Sequence, residues 1–223
     1  MNTVQIDNLI RTHRRSMALI VNGEGIVTVR APFKMPLSTI ERFLDEKREW
    51  VARKIRQAQL RPKAANREFI NGEKFLFLVQ EYPLQIVDRL KSGLEFRDAL
   101  ELSSASQKQA KGIFYHWYKY QAKKMINERV NIYAQKMGLE YRAIKINDAQ
   151  TRWGSCAPSG NLNFAWRIIM APLSVLDYVV VHELAHIPIK NHSRRFWKKV
   201  EITMPGYRQS VEWLKHHGGL LKL

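Results

Sequence analysis

A chain of 223 residues with 37 lysines and arginines against 20 acidic residues carries a formal charge of +17. That balance favours an anionic partner such as nucleic acid, a nucleotide or an acidic protein, and it names none of them. One cysteine, Cys156, excludes an internal disulfide, no run approaches the roughly twenty apolar residues of a membrane-spanning helix, and the polar opening MNTVQIDNLIRTHRRS lacks the apolar segment of a secretory signal. The expected setting is the cytoplasm, with no membrane contact.

In chain order, apolar and polar residues alternate on both sides of Asn22-Gly23-Glu24-Gly25, which predicts a hairpin of two paired strands. Ser38 and Glu41 form a capping-box pair, and Ile40, Phe43, Leu44, Val51 and Ile55 predict one amphipathic helix that runs to Pro62. Its outer face is basic through Arg48, Arg53, Lys54, Arg56, Arg61 and Lys63, which offers nucleic-acid phosphates a track. Apolar runs at 75–78, 82–87 and 94–96 predict strands, with Pro83 marking an edge position. The polar stretch ELSSASQKQAKG then predicts a boundary between a small α+β module, residues 1–103, and a C-terminal domain, residues 104–223. The class read from this order is α+β.

Beyond the boundary, apolar spacing from Ala110 to Met137 predicts a long helix that Gly138 terminates. Ile144 and Ile146 alternate as a strand, PSGN turns the chain between Trp153 and the NLNFAW segment, and Pro172 opens the next helix. That helix carries HELAH. Residues four apart share a helix face, so His182 and His186 present two imidazoles to one ion, and Glu183, offset by one position, is placed to deprotonate a water as general base. A catalytic zinc site takes three protein ligands and an open position. The third ligand is His192, beyond the break at Pro188, or Glu201 on the following helix, which Ser193 would cap.

The run TRWGSCAPSGNLNFAWRIIMAP, followed by DYVVVHELAH, NHSRRFW, a Pro-Gly-Tyr segment and WLKHHG, resembles the YgjP-like predicted metal-dependent hydrolases, zincin-type proteins related in outline to SprT-like proteases. The resemblance implies a zincin-like α+β domain, zinc at His182, His186 and His192, and Glu183 as general base. It draws notice to Arg152, Trp153, Ser155, Asn163 and Arg167, of which Arg152, Asn163 and Arg167 are the substrate-binding candidates. It gives Cys156 a packing role. The sequence departs from the family at Val79, where a glycine is frequent, and at Pro188.

The chemistry read from these residues is a zinc-dependent hydrolase acting on a protein or peptide. Two alternatives stay open: a nucleotide pyrophosphatase using the basic surface to receive phosphates, against which no glycine-rich phosphate loop is visible, and a nucleic-acid-associated zinc protein.

Overall fold

The computed structural model describes residues 5–23, 25–59, 67–91 and 93–223, which fall into two units, residues 1–63 and 64–223. In the first unit the predicted hairpin is present as β2 (Ala18–Val21) and β3 (Val27–Pro32), antiparallel from Ala18↔Arg30 to Val21↔Val27. Gly25 takes the left-handed φ of 86° that such a turn requires. The sheet has a third strand that the sequence reading omits, β1 (Asn8–Thr12), parallel to β3. Val29 and Ala31 bury one face of β3 against Ile40 and Leu44.

The single basic helix is two helices, α1 (Leu37–Glu46) and α2 (Arg48–Gln59), parted at Lys47 with φ −103° and ψ 7°. No proline or glycine marks the break, so continuous apolar spacing carries the expectation across it. Pro36 occupies the cap position without a side-chain cap bond, and Ser38 lies inside the helix. Glu24, Arg61 and Lys63 lie outside the described residues.

The second unit begins with a four-stranded sheet of order β4-β5-β7-β6, made of β4 (Lys74–Phe77), β5 (Gln80–Val87), β6 (Leu94–Phe96) and β7 (Leu100–Ser103). β7 corrects the sequence reading. Leu100 and Leu102 have no exposed surface and pair with β5, so the stretch expected as a boundary opens inside an interior strand and runs on from Ser104 as a 3-10 turn into the helix that begins at Ala110, and the compact units divide at 63/64. β5 is likewise an interior strand, not an edge. It shares its length, pairing with β4 up to Pro83 and with β7 from Leu84, so the proline never bridges both neighbours.

The helix expected over Ala110 to Met137 is α3 (Ala110–Met137), closed by Gly138 at φ 62°. Phe114, Tyr118, Ala122, Ile126 and Val130 recur every four residues and are fully buried. Each large apolar side chain in such a layer contributes about 2 kcal/mol. A second sheet of order β8-β10-β9 follows, with β8 (Ala143–Asn147), β9 (Gly154–Cys156) and β10 (Asn161–Ala165), in which β10 runs parallel to β8 and antiparallel to β9. The chain then enters α4 (Leu173–Ala185), α5 (Arg194–Thr203) and α6 (Tyr207–His217). The described residues thus form a mixed α+β fold with six α-helices and three small sheets. None of these helices is long and apolar enough to cross a membrane.

Candidate metal centre

α4 is apolar almost all round, and from Val175 onward its valines and leucines lie in the core. Of its two buried acids, Asp177 accepts two hydrogen bonds from Arg129, at 2.6 and 2.7 Å, and one from the Tyr133 hydroxyl at 3.0 Å. That cluster fastens α4 to α3 through a charge that would be costly without its partners.

The helix ends at Ala185 with His186 as its cap residue, two positions before the proline expected to stop it. Pro188 disfavours helical geometry at Ile187, so the turn is already committed there. The Ile189 carbonyl accepts from His186 Nδ1 at 3.0 Å. A carbonyl has no proton to give, so neutral His186 carries its proton on Nδ1 and presents the Nε2 lone pair. The turn brings His192 back, and its Nε2 stands 3.1 Å from Nε2 of His186 and 3.1 Å from Nε2 of His182. Two nitrogens bound at about 2.0–2.1 Å to one tetrahedral zinc are about 3.3 Å apart. The three imidazoles therefore converge as a ligand set does, and among the described residues this is the one group of metal-capable side chains so gathered. Glu201 is exposed on α5 and Cys156 is half-buried on β9, and neither belongs to it.

Electrostatics agree with neutral donors at His182 and His186. Burial, aided by the neighbouring histidines, pushes His182 down to about 3, and burial also lowers His186. The Tyr178 hydroxyl lies 3.3 Å from His182 Nδ1 and holds the outer side of that ring. Phe196 has no exposed surface and touches all three rings, stacked on His186 at 4.4 Å and edge-on to His182 and His192 at 5.0 and 4.9 Å. Exposed His192 also stacks on Trp197, Trp197 on Tyr207, and Tyr207 on Tyr178. Side chains of α5 and α6 thus reach the ring that Tyr178 braces on α4.

Glu183 is 5% exposed. Burial pushes its carboxyl up to about 7 against the opposing pull of Arg152. Gly154 makes room for it: a β carbon on that residue would stand 2.6 Å from Glu183 Oε1 and 2.6 Å from Cγ. The sequence reading passes over Gly154, although a glycine inside a strand is the signal of a close approach. It also gives Tyr178 and Phe196 no part in the site and does not foresee the Ile189 carbonyl, whose role depends on the path of the turn.

The substrate-binding candidates separate. Exposed Arg152 is electrostatically coupled to Glu183. Asn163 donates to the carbonyl and hydroxyl oxygens of Ser155, tying β10 to β9. Arg167 is buried, donates to the Ala149 and Leu221 carbonyls and lies over the Trp153 ring, so its guanidinium serves packing between distant segments.

The model of the YgjP-like metallopeptidase domain matches residues 15–217. The chain belongs to the YgjP-like metallopeptidase family. Membership in the YgjP-like family makes it a metallopeptidase-type protein, for which a metal ion is implied. No curated protein matches the chain. A solved structure, the metallopeptidase zymogen of Pyrococcus abyssi abylysin, is similar at 18% identity and a TM-score of 0.38, over 40% of this chain and 90% of the other.

Proposed function

We propose that this YgjP-like protein is a zinc-dependent peptidase of zincin-like architecture, with His182, His186 and His192 holding the ion and Glu183 as general base. The observation that carries the reading is the convergence of three imidazole Nε2 atoms beside a buried carboxyl held near neutrality. Three neutral nitrogens with room for a fourth ligand suit zinc over the oxygen-seeking cations. A bound zinc ion supplies the Lewis acid that acidifies water and polarises a carbonyl.

Glu183 receives the proton released as water attacks the carbonyl carbon, and a carboxyl titrating at about 7 is matched to that exchange near neutral pH. It then returns the proton to the nitrogen whose bond to that carbon breaks. Gly154 fixes where the carboxylate stands, and Arg152 shares the negative charge that grows on the carbonyl oxygen. A peptide is favoured over a phosphoanhydride by β9. Among the described residues this strand pairs with β10 alone and forms an edge of its sheet, to which an extended chain can add, and its first residue is the glycine that adjoins Glu183.

The test sets casein against nucleoside triphosphates as substrates for wild type and Glu183→Gln. Zinc-dependent casein cleavage that Glu183→Gln loses while keeping its zinc supports the reading. Cleavage of the triphosphate in its place would make the protein a pyrophosphatase, and casein cleavage unchanged in the variant would remove Glu183 from the chemistry.

A further inference from the structure

Two hollows of the second unit lie away from the histidine centre and form one groove, meeting where Lys119 of one approaches Asp148 of the other. The first, about 540 Å³, is bordered by Lys111 and Tyr115 of α3 and by Asp148 and Gln150 after β8. The second, about 410 Å³, is bordered by Lys119, Tyr120 and Lys123 of α3 and by 144–146 of β8. One wall thus runs forward along α3 while the other runs backward along β8 and its loop, and Lys119 spans the junction at 3.5 Å from Asp148. Lys111, Tyr115, Lys119 and Lys123 are spaced four apart, so they follow one ridge of the helix for about 18 Å.

The charge in this groove is one-sided. Lys111, Lys123 and Lys145 are exposed, as is Lys222 at the first hollow, and among the described residues none of these four makes an ion pair. The single acid, Asp148, is already engaged by Lys119 and by the Trp166 indole N–H at 2.9 Å. Between the lysines stand two tyrosines, and Tyr120 is 64% exposed, the most exposed aromatic ring among the large apolar side chains at the surface. Lysines alone would suit any anion or a merely solvated face. Rings set between them in a continuous trough suit a chain that alternates phosphates with flat bases, since every base offers a face to stack.

We propose that the groove between α3 and β8 binds single-stranded nucleic acid without sequence preference, its lysines on phosphates and Tyr120 under a base. The residues of this site are distinct from the basic residues Arg48, Arg53, Lys54 and Arg56 of α2.

The experiment is fluorescence anisotropy of the full chain with a short labelled oligothymidylate across a salt series. Four lysine contacts on the single-strand scale of about 0.7 each predict a log–log salt slope of about −3. Lys123→Glu with Lys145→Glu, both at exposed positions, is expected to weaken binding at least about tenfold and to flatten the slope by about 1.4. Arg53→Glu with Arg56→Glu on α2 is expected to stay within about threefold of wild type. Circular dichroism confirms that both double variants are folded. Absence of binding, binding indifferent to the Lys123 and Lys145 changes, or loss caused only by the α2 changes would overturn the proposal. So would capture of an acidic oligoglutamate peptide that oligothymidylate cannot displace.

Discussion

Gly154 and Glu183 occupy one space: a β carbon on the glycine would lie 2.6 Å from the carboxylate oxygen Oε1. No side chain other than hydrogen fits at the start of β9 unless the carboxylate moves. Gly154→Ala is therefore expected to displace the Glu183 carboxylate while leaving the three imidazoles alone. A misplacement of about 1 Å costs on the order of a hundredfold in rate. Hydrolysis of a casein substrate should fall by that order while zinc content stays at the wild-type level. Wild-type turnover in the alanine variant would show that the carboxylate position does not matter.

The burial of Glu183 has a cost that pH exposes in the metal-free protein. Its carboxyl titrates at about 7 in the fold against an ordinary 4.5, so between those values the folded chain keeps a proton that the unfolded chain has released. Stability from this group is greatest below the lower value, falls as pH rises through the window, and levels off above it. Glu183→Gln preserves the shape and abolishes the titration. Chelator-treated variant should exceed chelator-treated wild type above pH 7 by on the order of 3 kcal/mol in urea unfolding, with the gap closing towards acid. Parallel stability curves across the window would contradict this.

Val79 sits at φ 68° beside Leu78 at φ 48°, a two-residue turn built from residues ill suited to it. The turn is held because the Leu78 and Val79 amides donate to the Ile169 and Met170 carbonyls at 2.9 and 3.0 Å. Relief of left-handed backbone at a β-branched residue is worth about 1–2 kcal/mol, less the entropy glycine brings to the unfolded chain. Val79→Gly is expected to raise the unfolding midpoint by about 1 kcal/mol equivalent, and a lower midpoint would show that the side chain contributes more than the strain removes.

The ion pair between Arg129 and Asp177 is mostly sheltered, at 19% and 9% side-chain exposure. Asp177→Ala leaves the guanidinium without its partner and should cost about 3 kcal/mol in chemical denaturation. Arg129→Met together with Asp177→Leu should cost less than either single change, because neither charge is stranded. A double variant as unstable as the sum of the two single changes would show no coupling between the two groups and would contradict this.

Local signals carried much of this fold. α3 was legible to the residue because its apolar period is long and Gly138 closes it, and the β2–β3 hairpin because its turn residues are specific. β1 and β7 were not, since each gains its place from a parallel partner distant in sequence, and LELS read alone is as polar as a linker. The same division runs through the candidate site. HELAH and His192 are spaced along one stretch of chain, so their meeting was readable. Gly154, Tyr178 and Phe196 take their roles from packing between elements, and only the glycine left a mark in the sequence.

The zinc content of the purified chain, measured by mass spectrometry on wild type, His192→Ala and Glu201→Ala, tests the centre most directly. The convergence of His182, His186 and His192 predicts about one equivalent in wild type, near-complete loss in His192→Ala and full retention in Glu201→Ala. Zinc retained by His192→Ala at the wild-type level, or lost by Glu201→Ala, would contradict the three-histidine site.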